Sequence, residues 1–106
     1  MIEDEIIEVV KLRLSLDTED YISLEKCWSK ETEILSRDIK QTITFIENEC
    51  NDETFCWIGE VFDDVADITQ SKEFIAAIKR RAEKVIDEKN RKHVEVDIRY
   101  AEYKID

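Results

Sequence analysis

There is no proline in this chain and only one glycine, Gly59. Sandwiches, barrels and doubly wound sheets rely on tight turns, and tight turns rely on those two residues. Their scarcity points to helices joined by short polar links. It also excludes a phosphate-cradling loop, because the P-loop and the dinucleotide fingerprint both need several glycines. One histidine, His93, and three cysteines, Cys27, Cys50 and Cys56, leave little material for acid–base or metal chemistry. No cysteine pair has C-x-x-C spacing and the number is odd, so they read as reduced, mostly buried thiols. A zinc site needs about four well-spaced Cys or His ligands, which this pattern does not offer. No apolar run approaches the roughly 20 residues of a membrane span. The opening Met-Ile-Glu-Asp-Glu is the reverse of a basic signal-peptide region, so a cytoplasmic protein is expected.

Basic residues are also in deficit: 16 against 27 acidic ones, for a net charge of −11. A nucleic-acid backbone is held by Lys and Arg that displace counterions, so direct nucleic-acid binding is not expected. The same argument disfavours an anionic membrane surface. The charge is uneven: residues 1–70 hold 19 acids and 6 bases, residues 71–106 hold 8 acids and 10 bases. Such a balance serves solubility, or it polarises the surface so that an acidic side docks a basic partner.

What is present is helical periodicity. At 106 residues the chain makes one domain, 1–106, with one modest core. The charged fraction of 41% would permit disorder, but apolar residues recur at helical spacing nearly throughout. The spacing predicts a first helix over 3–14 with Ile6, Ile7, Val10 and Leu14 inward. Asp17 or Thr18 would cap a short second helix that turns Tyr21, Leu24 and Trp28 inward, with Cys27 beside them. A long third helix over 30–49 carries the stripe Leu35, Ile39, Ile43, Ile46 and Cys50. Asn51 or Asp52 then caps a helix with Phe55, Ile58, Val61, Phe62, Val65 and Ile68 on one face; Gly59 within it suggests a close helix crossing. Ser71 caps a helix with Phe74, Ile75, Ile78, Ala82, Val85 and Ile86 inward and Lys79, Arg80, Arg81 and Lys84 outward. Residues 93–100, HVEVDIRY, alternate like a strand, yet Val94, Ile98, Ala101 and Ile105 also make a helical stripe. A lone strand would leave its backbone groups without partners, so the helix is the preferred reading. The expected fold is all-α, a bundle of about five or six helices.

On the fourth segment Glu53, Trp57, Glu60, Asp64 and Asp67 fall on one side of a regular helix, and Asp63 adjoins them. Asp63, Asp64 and Asp67 lack the glycine-turned loop of a calcium site. The run reads as a solvated helix face or as a protein-docking surface. Trp57 is a half-buried packing residue or a binding anchor of the kind enriched at interface centres. No residue set has the matched roles of a catalytic site, and neither metal nor cofactor is expected. An acidic helical binder of a basic protein is the class this pattern favours.

The segments YISLEKCW (21–28), ETEILSRDIKQTITFIENEC (31–50) and FCWIGEVFDDVADITQSKEFI (55–75) resemble small immunity proteins of bacterial contact-dependent growth inhibition systems. The likeness lies in the cadence around W-x-x-E-V-F-D-D, Trp57 to Asp64, and covers residues 20–80. It implies a cytoplasmic antidote that binds and blocks a toxin domain. Many such toxins are nucleases with basic clefts, which an acidic inhibitor would occlude. Glu53, Trp57, Glu60, Asp63, Asp64 and Asp67 would make that contact. The alternative is an acidic adaptor or regulatory subunit of a larger complex.

Overall fold

The computed structural model describes residues 2–106. Seven α-helices follow in order: α1 (Ile2–Ser15), α2 (Tyr21–Arg37), α3 (Ile39–Asn48), α4 (Asp52–Ile58), α5 (Phe62–Thr69), α6 (Lys72–Glu83) and α7 (Glu88–Tyr103). A 3-10 turn, Gly59–Val61, joins α4 directly to α5, so the two form one interrupted rod and the molecule is a bundle of six rods. Among the described residues no strand forms; the alternating 93–100 segment lies within α7. Its buried residues are Val94, Ile98 and Ala101, at the helical rather than the alternating period. The radius of gyration is 12.7 Å, against about 13 Å for a chain of this length folded round one core.

Short polar side chains start the helices. Asp20, Asp38, Asn51, Ser71 and Asp87 each accept a backbone N–H from the first turn of the helix that follows. Ser71 is the cap the spacing predicts, and of the two candidates Asn51 and Asp52 it is Asn51 that caps α4. The start of α2 is Asp20, not Asp17 or Thr18, and Tyr21 is exposed. Helix α2 is long because it absorbs the first part of the segment assigned to a third helix. Asp38, extended at φ −144° and ψ 98°, ends α2 and caps α3.

The core is centred on three phenylalanines. Phe55 and Phe62 have ring centroids 5.4 Å apart, and Phe62 meets Phe74 edge-on at 5.8 Å. Ile6, Leu35, Ile46, Ile58, Ile78 and Val94 complete the layer around them. Leu14, Ile68 and Ile86 are exposed instead of inward, because each lies at or near a helix end that has run past the core. Arg81 is the opposite correction: it is buried, not part of an outward basic face. Its Nη2 donates to Asp52 Oδ1 at 2.7 Å and to the Cys50 carbonyl at 2.9 Å, and its guanidinium lies over the Phe55 ring. Asp52 also accepts the Ile86 N–H, so one ion pair ties the α3–α4 turn to the end of α6. The Asp52 carboxyl is held below the usual range by that N–H first and by Arg81 second.

Gly59 sits where the 3-10 turn crosses α7. A Cβ there would come within 2.7 Å of Asp97 Oδ2 and 3.3 Å of Val94 Cγ2. The close crossing expected from a glycine inside an apolar helical pattern is present.

Candidate functional site

A 3-10 turn advances each residue by about 120° instead of 100°. That change of pitch at Gly59–Val61 divides the acidic stripe. Glu53, Trp57 and Glu60 face the first turns of α7, across a groove of about 900 Å³ shared with Cys56, Asn90 and His93. Asp64 and Asp67 face α2, across a second groove of about 830 Å³. Asp63 lines neither; it is half-buried and its Oδ1 accepts the Asp64 N–H at 3.0 Å. The six residues taken from the sequence thus present two acidic surfaces.

The two surfaces differ in how their charge is compensated. Glu60 is held by Arg13 of α1 through two hydrogen bonds, Nε to Oε1 at 3.0 Å and Nη2 to Oε2 at 2.9 Å. Trp28 Nε1 also donates to Glu60 Oε1, at 3.3 Å. The Arg13 guanidinium is 5.1 Å from the centroid of the Trp57 ring. Glu60 and Trp57 are therefore parts of an internal cluster that fastens α1 and α2 to the 3-10 turn. Glu53, Asp64 and Asp67 have no ion-pair partner among the described residues and are exposed. Burial raises the Asp64 carboxyl above its ordinary range, helped by the like charges of Asp63 and Asp67 and opposed by Lys104.

Below the Arg13 cluster lies a residue the sequence reading passed over. Glu31 is fully buried, and neither of its carboxylate oxygens has a hydrogen-bond partner. Burial, and then the Glu60 charge, push it up to about 7, while Arg13 opposes the rise. The signal was available: Glu31 stands four residues from both Cys27 and Leu35, on the buried stripe of α2. Thr32 and Ser36 were also passed over. Their hydroxyls are buried without partners, and both residues line the α2–α5 groove.

The thiols are placed for packing. Burial raises Cys27 and Cys56 above the ordinary thiol range and pushes Cys50 up to about 12, which suppresses the nucleophilic thiolate. Among the described residues no group of three or more His, Cys, Asp or Glu side chains is placed to hold a metal ion, and no helix is long and apolar enough to cross a membrane. His93 is exposed on the rim of the α4–α7 groove.

No family model matches the chain. No characterised protein matches it in sequence, and no solved structure matches it in fold.

Proposed function

We propose that this protein is an acidic helical inhibitor that binds a basic protein partner, of the kind that neutralises the toxin domain of a contact-dependent growth inhibition effector. The observation that carries the reading is the pair Asp64 and Asp67, exposed on one turn of α5 and without an ion pair among the described residues, Lys104 acting on Asp64 only from a distance. Uncompensated charge on a rigid helix raises the encounter rate with an oppositely charged surface. The asymmetry of the chain, acid-rich through residue 70, concentrates that field on α1–α5. The resemblance around Trp57–Asp64 adds the toxin class, many of whose members are nucleases, and a cytoplasmic place of action.

Inhibition by occlusion needs no group with tuned reactivity. The acids would pair with Lys and Arg of the toxin cleft and deny it to nucleic acid. Co-expression with a toxin domain encoded beside this protein, followed by pull-down and a growth test, decides the reading. A complex that rescues growth supports it. A complex without rescue shifts the protein to the adaptor class, and growth arrest without binding removes the toxin partner.

A further inference from the structure

The α2–α5 groove combines apolar surface with acids that have no ion pair. Trp28 and Ile68 supply apolar surface, and Ile68 is 63% exposed. Asp64 and Asp67 form one wall and Glu25 stands on the other. Glu33 and Arg37 also border it but are paired with each other. Thr32 lies in its floor, 8% exposed, with a hydroxyl that has no partner; Ser36, one turn on, is likewise unpartnered. A threonine in a helix ordinarily gives its hydroxyl to the carbonyl four residues back, so an orphan hydroxyl under a groove is a standing loss. Three carboxylates without an ion pair beside an apolar strip describe a receptor for cations carried on an apolar scaffold.

We infer that the α2–α5 groove docks a basic amphipathic helix of the protein partner, its apolar face on Trp28 and Ile68 and its Lys or Arg side chains between Asp64, Asp67 and Glu25. Residues three and four apart line both walls, Asp64, Asp67 and Ile68 on α5 and Glu25, Trp28, Thr32 and Ser36 on α2, so the groove runs between two helix faces and an amphipathic helix would meet it with its own anchors at that spacing. The α4–α7 groove is less suited, since Lys89 and Lys92 line it and Glu60 is already paired within the chain. The inference rests on the protein-binding reading above and not on the partner being a toxin.

The test uses isotopically labelled protein and an amphipathic Leu/Lys peptide helix of about four turns as the probe. Amide shifts are expected along α2 and α5. Asp64→Lys with Asp67→Lys should weaken the peptide at least about tenfold, while Glu83→Lys with Glu95→Lys, an equal charge change on α6 and α7, should weaken it less than about twofold. Glu25→Gln, a milder change at an exposed site, should lower affinity with helical circular dichroism intact. Shifts confined to another face, no shifts at all, or equal losses in the two charge-reversed proteins overturn the groove. Failure of the wild-type protein to rescue growth removes the toxin reading and leaves these peptide results standing.

Discussion

Arg13 grips Glu60 with two parallel hydrogen bonds, 3.0 and 2.9 Å long, across 47 residues of chain. The pair is largely withdrawn from water, with side-chain exposures of 11% and 25%. Arg13 is also the cation whose field falls on buried Glu31 and on the Trp57 ring. Removing it leaves two carboxylates facing each other without compensation. Arg13→Met should therefore destabilise the fold by about 2–4 kcal/mol, measured by urea unfolding at neutral pH. Adding Glu60→Met should recover at least about 1 kcal/mol of that loss, because the orphaned charge goes with its partner. Additive losses would show that the two residues act independently.

Glu31 makes stability fall as pH rises. Its carboxyl is pushed from 4.5 up to about 7 in the folded protein, so between those values the native state holds a proton that the unfolded chain has released. Stability contributed by the protonated form is complete below about 4.5 and lost as pH passes through about 7. The full penalty is of order 3 kcal/mol at one pK unit per 1.36 kcal/mol. Glu31→Gln cannot ionise, so its stability relative to wild type should improve by about 2–3 kcal/mol between pH 5 and pH 8. Parallel curves for the two proteins across that range would exclude Glu31 as the titrating group.

Local chemistry was legible in the sequence and long-range chemistry was not. The caps Asn51 and Ser71 act on amides three residues away, and the stripe Phe55, Ile58, Val61, Phe62 and Val65 is buried as its spacing implies. The break at Asp38 leaves no mark in the apolar pattern, because Leu35, Ile39, Ile43 and Ile46 keep their steps of three and four across it. Arg81 reads as a surface residue until Asp52, 29 positions earlier, is brought to it. The acidic stripe is continuous only on an unbroken helix, and a three-residue 3-10 turn suffices to divide it. That the Thr32 and Ser36 hydroxyls find no partner is a matter of tertiary placement, which helical spacing does not report.

The three thiols should be poor nucleophiles. Burial raises all of them, Cys50 up to about 12, and Cys27 is 3% exposed. With iodoacetamide at pH 8 the folded protein should react at least about tenfold slower than a free cysteine peptide, and unfolding in guanidinium should abolish the difference. Mass mapping of partly labelled protein should find Cys27 last. Rapid labelling of native protein at Cys50 would contradict its placement against Asn51 and Arg81.

Gly59 offers a test of why the rod is interrupted where it is. Its φ of −53° and ψ of −29° are helical, so backbone freedom is not what the position needs. The constraint is space, since a Cβ would stand 2.7 Å from Asp97 Oδ2 and 3.3 Å from Val94 Cγ2. Alanine gains up to about 1 kcal/mol in helix propensity, set against the displacement of Asp97. That carboxylate already has Oδ2 buried without a partner, and burial raises its pKa, so turning it toward solvent relieves part of the strain. Gly59→Ala alone should be neutral to within about 1 kcal/mol, and in an Asp97→Ala background it should stabilise by about 0.5–1 kcal/mol. Gly59→Leu has no such escape, because the side chain would be driven into Val94 and the α7 backbone; a loss of about 2–3 kcal/mol is expected. Thermal unfolding of the wild type, the three single variants and the double variant separates the contributions. Destabilisation by Gly59→Ala that persists when Asp97 is removed would assign the close crossing to Val94 and the α7 main chain instead.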